Sequence, residues 1–285
     1  MKIAYGTYAM PTVALEDAIP ALADIGYDGV EICIGERHIG SMPSELTPDR
    51  RTQLKQLLTQ HELGIPAFYV SGAHTLELDD AQHQTNLEHV RRVAQLGHEL
   101  EAVGAWGGPV VSLGIGGKSD QWEHIKHDIV RRLNDYAAMA VEENVLVAAE
   151  AHSGAAVDRT ERALWVIEQV DSPLVKLHFD IVHTFLAGER VQDSVRDLVP
   201  ITGHTHITDA HIYPDGSRDL LLLGQGQLDT VGYLKAMHKA GWTDFITLEV
   251  SGMVWGRDDY DPIAAAVFSY QTIDRAFGEA GVPRE

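Results

Sequence analysis

The chain has 285 residues, 45% of them hydrophobic and 22% charged, which suits one large α/β domain or two small ones with a substantial core. Lys and Arg number 22 against 42 Asp and Glu, a formal charge of −20; no local basic patch offsets it, so nucleic acid is set aside as a partner. One cysteine, Cys33, excludes an internal disulfide, and with no signal-like apolar stretch or bilayer-length run the expectation is a cytoplasmic protein without a membrane partner.

In chain order, short runs rich in Val, Ile and aromatic residues fall at 2–6 (KIAYG), 29–33 (GVEIC), 65–70 (IPAFYV) and 109–114 (PVVSLG). They recur at 145–150 (VLVAAE), 175–180 (VKLHFD), 201–207 (ITGHTHI) and 245–250 (FITLEV). Segments with helical spacing lie between them. Leu87, Val90, Val93, Gly97, Leu100 and Gly104 share one face, and Ile125, Ile129, Leu133, Tyr136 and Ala140 share another. Thr47-Pro48 and Asp261-Pro262 place a capping residue before Pro at the first helical position. Gly26, Gly64 and Gly241 are expected to close helices just before strands. Eight strand–helix units with no linker and no shift in composition predict one domain over 1–285, an α/β protein of the (β/α)8 TIM barrel class, with a parallel eight-stranded barrel inside outer helices. A doubly wound open sheet is the alternative. Cys33, inside the second strand, reads as a small packed thiol.

Several features beside the strands invite a functional reading. His74 follows the third strand, at the rim where a barrel gathers its functional groups. Tyr8, Trp106 and Trp255 are candidates for an apolar wall on which a sugar ring would stack. SLGIGGKS at 112–119 is not a P-loop, because Ser112 stands where the motif needs its first glycine. GQGQLD at 224–229 lacks the third glycine of a dinucleotide fingerprint. The connections 208–228 and 251–260 are longer than usual and follow strands that end in polar groups.

In a (β/α)8 barrel the functional groups stand at the C-terminal ends of the strands. There Glu150 ends the fifth strand, Asp180 the sixth, His206 the seventh and Glu249 the eighth. Four such groups crowded on one rim repel unless a cation joins them. Three carboxylates and one imidazole form a hard, oxygen-rich set. One divalent ion is expected, Mn²⁺ first, with Mg²⁺, Co²⁺ and Zn²⁺ also compatible.

The stretches VLVAAEAHSG, LHFDIVHTF, GHTHITDA, LLGQGQLD and FITLEVSG resemble, in order and spacing, the successive motifs of the xylose-isomerase-like superfamily of sugar phosphate isomerases and epimerases. The resemblance extends more loosely over nearly the whole chain. It implies that Glu150, Asp180, His206 and Glu249 bind one divalent metal and that His183 contacts substrate. Such a site suits proton transfer next to a carbonyl through a metal-stabilised enediolate, one glutamate removing a proton and the other returning it, as in the family's ketose 3-epimerases. Two places depart from those epimerases. His206 and Asp209 fit the motif of the seventh strand, but Ile212 stands where Arg is expected, and Arg218 is the cation placed to reach in from the long loop. His152, two residues beyond Glu150, matches a broader branch that also holds dehydratases and the metal-dependent subunits of C-glycoside deglycosidases. There it would be either a catalytic base or a residue that holds Glu150.

The expected function is a metal-dependent isomerase or epimerase of a small sugar or keto sugar. A lyase on 3-keto sugars is the alternative, and a DNA-repair endonuclease of the same superfamily a remote one. A homo-oligomer is expected, or a complex with a small second subunit in the deglycosidase case.

Overall fold

The computed structural model describes residues 1–284. Eight parallel strands close into a barrel: β1 (Lys2–Gly6), β2 (Gly29–Ile34), β3 (Phe68–His74), β4 (Val110–Gly114), β5 (Leu146–Glu150), β6 (Val175–Asp180), β7 (Thr202–Ile207) and β10 (Phe245–Leu248). Around the ring they run β1-β10-β7-β6-β5-β4-β3-β2, and closure comes from β1 pairing with β10 from Lys2↔Phe245 to Tyr5↔Leu248. The helices α1 (Leu15–Ile25), α2 (Pro48–Gln60), α3 (Asp80–Glu99), α4 (Trp122–Glu143), α5 (Thr160–Val170), α6 (Ile181–Leu186), α7 (Val191–Leu198), α8 (Thr230–Lys239), α9 (Gly252–Trp255) and α10 (Pro262–Ala280) connect the strands. None is both long and apolar enough to cross a membrane.

The two-residue period of each strand divides its side chains between two environments. Val30, Ile32, Phe68, Val70, Val147, Leu177 and Phe179 are buried in the large apolar cluster shared with the helices. Their sequence neighbours turn into the barrel. At its lower end Ala67, Val110, Leu146 and Ala148 form a separate small cluster capped by Trp106, whose Nε1–H donates to the Pro109 carbonyl. Trp106 therefore sits at the N-terminal end of β4, opposite the rim, and is not part of a sugar-binding wall. Cys33 is fully buried with its thiol 3.7 Å from His38, and burial pushes that thiol up, as befits a packed group.

Element ends follow local chemistry. Thr47 and Asp261 cap α2 and α10 as expected, and Gly26 ends α1 at φ 115°. Gly64 is different: α2 stops at Gln60, and Gly64 forms a bridge to Gly29 that continues the β2–β3 pairing downward. The third strand also starts later than 65, because Pro66 has no N–H to give a ladder. It runs on to His74 through a register irregularity after Tyr69. α3 ends at Glu99 with Glu101 in the left-handed region, leaving Gly104 beyond the helix. The long 208–228 connection folds into an antiparallel hairpin, β8 (Asp209–Ile212) and β9 (Arg218–Leu221).

Candidate metal centre and active site

Ligand atoms of Glu150, Asp180, His206 and Glu249 lie within 4.8 Å of one another at the C-terminal rim. The order β10-β7-β6-β5 places them on four adjacent strands, with the two glutamates at the ends of the arc and Asp180 and His206 between. Asp180 pairs laterally with His206, and His206 with Thr247, so the register sets them at one height. Asp180 Oδ1 accepts the Val182 N–H at the start of α6, leaving Oδ2 buried with no partner among the described residues. His206 Nδ1 is likewise buried and unpartnered, 3.6 Å from Glu249 Oε2. Among the groups of His, Cys, Asp and Glu close enough to share an ion, this one is rich in oxygen.

The other face of His206 leads to a residue that the sequence reading missed. Glu31, fully buried on β2, accepts from His206 Nε2 at 2.8 Å and from His204 Nε2 at 2.5 Å. Gly6, paired with Glu31, leaves room for it: a Cβ there would stand 3.0 Å from Glu31 Oε1. Beside this pair, His178 Nδ1 shares a 2.6 Å hydrogen bond with the Ser112 hydroxyl. His178, His204 and Glu31 thus form a buried polar layer between the apolar plug and the rim. Burial works against charge on Glu31, but the two imidazoles hold it down at about 2. Against the same cost of burial, Glu31 and Glu249 raise His206 well above the imidazole range.

The carboxylates respond differently. Burial, then the charge of Glu249, pushes Glu150 up to about 7. Burial raises Asp180 to about 6. Burial opposes ionisation of Glu249 too, yet the adjacent His206 ring holds it below its ordinary value. Without a cation the cluster therefore keeps protons that its residue types would normally release. The unpartnered Oδ2 and Nδ1, the closeness of four donors and these retained protons all fit a divalent ion, which would take the place of the protons.

His183 stands beside the cluster: Nε2 is 3.7 Å from Glu150 Oε1 and 3.6 Å from Asp180 Oδ2. His152 stacks on it with ring centroids 3.8 Å apart. His152 Nδ1–H donates to the Ser153 carbonyl at 2.9 Å, so Nε2 carries the lone pair. Its ring opens to the pocket but is hemmed in by protein, and that partial burial, together with His183, holds it below the usual imidazole range. His74, Glu150 and His152 line one cavity of about 420 Å³. Gly116, at φ 87°, borders the same cavity, and a Cβ on it would stand 3.0 Å from His74. The Gly-rich turn is thus required by close packing. Arg218 reaches in from β9 to within 4.0 Å of where a side chain would begin on Gly154. Trp255 and Tyr8 meet edge to face at 5.4 Å and belong to an adjoining cavity. Trp106, at the opposite end of the barrel, is far from this group.

The profile of the family described as xylose isomerase-like TIM barrel matches residues 19–267. No curated protein matches the chain by sequence. Among solved structures, the zinc-binding IOLI protein superposes with a TM-score of 0.78 at 20% identity over 98% of both chains. 3-Keto-D-glucoside 4-epimerase, YcjR, from E. coli superposes at 0.77 and 15% identity, over 96% of this chain and 99% of that one. The probable 3-DHS dehydratase AsbF from Bacillus anthracis gives 0.77 and 16%, over 96% and 99%. At these identities the superpositions speak for the barrel, and the family match covers most of the sequence, from α1 to α10. The chain belongs to the xylose isomerase-like TIM barrel family.

Proposed function

We propose that the protein is a divalent-metal-dependent isomerase or epimerase of a sugar or sugar-like keto compound, acting by proton transfer next to a carbonyl. The observation that carries this is the close group of four, in which Glu150 and Glu249 come from non-adjacent strands with Asp180 and His206 between them. Glu150, Asp180, His206 and Glu249 would hold the ion, with Mn²⁺ the expected occupant, and the bound zinc of the IOLI protein supports a divalent metal in this scaffold. When bound, it would supply positive charge to an oxyanion developing on the substrate.

The protein's own groups do the rest. One glutamate takes the proton from the carbon beside the carbonyl on one face, and the other delivers a proton on the opposite face. His183, held between Glu150 and Asp180, presents its ring to the same space and orients a substrate hydroxyl. Arg218 adds a cationic hydrogen-bond donor from the hairpin. His74 and the glycine turn at 114–117 enclose the substrate.

The second reading is a lyase on a 3-keto sugar, favoured by the lone pair that the Ser153 hydrogen bond leaves on His152 Nε2. His152→Ala separates the two. A loss of roughly tenfold fits a residue that only orients Glu150, whereas roughly 10²–10⁴-fold fits a general acid or base. The main test is incubation of keto sugars in D₂O with Mn²⁺-loaded protein, followed by product NMR. Deuterium should enter the carbon beside the carbonyl and a stereoisomer or positional isomer should form. Glu150→Gln and Glu249→Gln should each stop exchange, and Asp180→Ala or His206→Ala should abolish metal binding. Full activity in either glutamine variant overturns the proposal; release of water or an aglycone replaces it with the lyase.

A further inference from the structure

The cavity beside Glu150 is not the whole of the pocket. Gly72 and Ala73, at the end of β3, wall both that cavity and a second one of about 550 Å³ on the side of β1, β2 and α3. Tyr8, Trp255 and His38 form one side of the second cavity, and Ser71, Thr85 and Asn86 bring hydrogen-bonding groups to it. The Tyr8 ring is 5.5 Å from Tyr69, which lines the inner cavity, so the two spaces adjoin across this aromatic pair. Gly72 stands at φ 83° with no atom within 4 Å of where a Cβ would be, so no side chain stands on this shared wall at that point. Binding pockets run from about 300 to 1,000 Å³, so the inner cavity alone accommodates one sugar ring and leaves the outer one without an occupant.

We propose that the substrate is a keto sugar carrying a second hydroxylated ring, a glycoside. Its reacting ring lies against Glu150 and Glu249, and its glycosyl ring lies between the Tyr8–Trp255 pair and α3. This rests on the keto-sugar reading of the inner site. Aromatic faces take the C–H face of a sugar ring while hydroxyl and amide side chains bond its rim. Trp255 adds a buried Nε1–H that has no acceptor among the described residues. A phosphate is a poorer match, because Glu36 accompanies Arg37 in the lining.

The test compares kcat/KM for deuterium exchange by Mn²⁺-loaded protein on a 3-keto-hexose as its methyl, glucosyl and phenyl glycosides. The glucosyl compound should exceed the methyl one at least tenfold. Asn86→Trp and Thr85→Trp, which project a large ring from α3 into the outer cavity, should each bring that ratio near one. Because the ratio is taken within a single variant, a general loss of folded protein does not mimic the result. Equal values for the methyl and glucosyl compounds in the unaltered protein overturn the inference. So does a ratio unmoved by both Trp variants, or a phenyl glycoside preferred tenfold over the glucosyl one. Absence of exchange with all three overturns the keto-sugar reading itself, and this inference with it.

Discussion

Glu31 is a carboxylate in an otherwise apolar strand, fully buried, and kept ionised by two imidazoles. By accepting from His206 Nε2 it fixes which ring nitrogen is left for a metal, and it presents Nδ1 toward Glu249. Residues that hold a metal-binding histidine in this way commonly contribute about 10–100-fold in affinity. Glu31→Gln, which keeps the size but not the charge, is expected to weaken Mn²⁺ or Zn²⁺ binding by roughly that factor, as read by competition with a chelator. Unchanged affinity would mean that His206 is oriented by its strand alone. GVEIC shows this acid to any reader of the sequence, and a charge in a strand apolar on both sides demands a partner. Its partners were hidden because they sit 173 and 175 residues away, across the barrel. By contrast Glu150, Asp180, His206 and Glu249 were legible, since each ends a strand and a parallel barrel brings strand ends to one rim.

The hairpin β8–β9 shows how an element that carries no ligand serves the site. Asp209 is buried and accepts from four backbone N–H groups, those of Ala210, Gly224, Gly226 and Leu228, at 2.8–2.9 Å. Gly226 must lack a side chain, because a Cβ would lie 2.3 Å from Asp209 Oδ1. This cage pins the returning chain after β9 against the start of β8 and so fixes the hairpin from which Arg218 projects. Hydrogen bonds to charged groups contribute about 1.5–3 kcal/mol each, and water recovers part of the loss. Asp209→Ala is therefore expected to cost on the order of 3 kcal/mol. At roughly 2–4 °C per kcal/mol for a chain of this size, Tm should drop by roughly 6–12 °C in a calorimetric scan. A change below about 2 °C would show that the cage is dispensable. The sequence revealed the length of this connection and the Asp after His206, but not the hairpin, whose strands are only four residues each. Trp106 was misplaced for a related reason. A Trp near a loop reads alike at either end of a barrel, and only the course of the chain from α3 into β4 shows that this loop is at the lower one.

For the molecule as a whole, the cluster at the rim is a cost to folding when no cation neutralises it. Glu150 and Asp180 rise to about 7 and about 6, above the usual carboxylate values, so between those values and pH 7 the folded chain binds more protons than the unfolded one. His206, raised as well, acts in the same direction: the stability it gives is complete below the ordinary imidazole value and is lost as pH rises through its higher folded value. Glu31 is lowered to about 2, so its contribution is already complete throughout this range. These three groups therefore draw stability from the metal-free protein as pH rises from 5 to 8, whereas His178, His183 and His204, which burial holds below the imidazole range, act in the opposite direction as pH rises to their ordinary value, so the metal-dependent difference is the quantity to measure. A divalent ion competes with those same protons and binds more tightly as pH rises. The gap in Tm between Mn²⁺-loaded and chelator-treated protein should widen across that interval, and a gap that narrows would contradict the ligand assignment.

The four clustered groups stand on β5, β6 and β7 and just past β10, one continuous half of the ring, while the outer cavity draws its walls from the segments after β1 and β2, the end of β3, α3 and α9. On the proposed reading, reaction and recognition fall on different stretches of the chain. A mutant library confined to residues 35–42 and 85–89 alters the outer cavity and leaves His74, Glu150 and His152 as they are. On that reading, a lineage altered only there would change its diet faster than its chemistry.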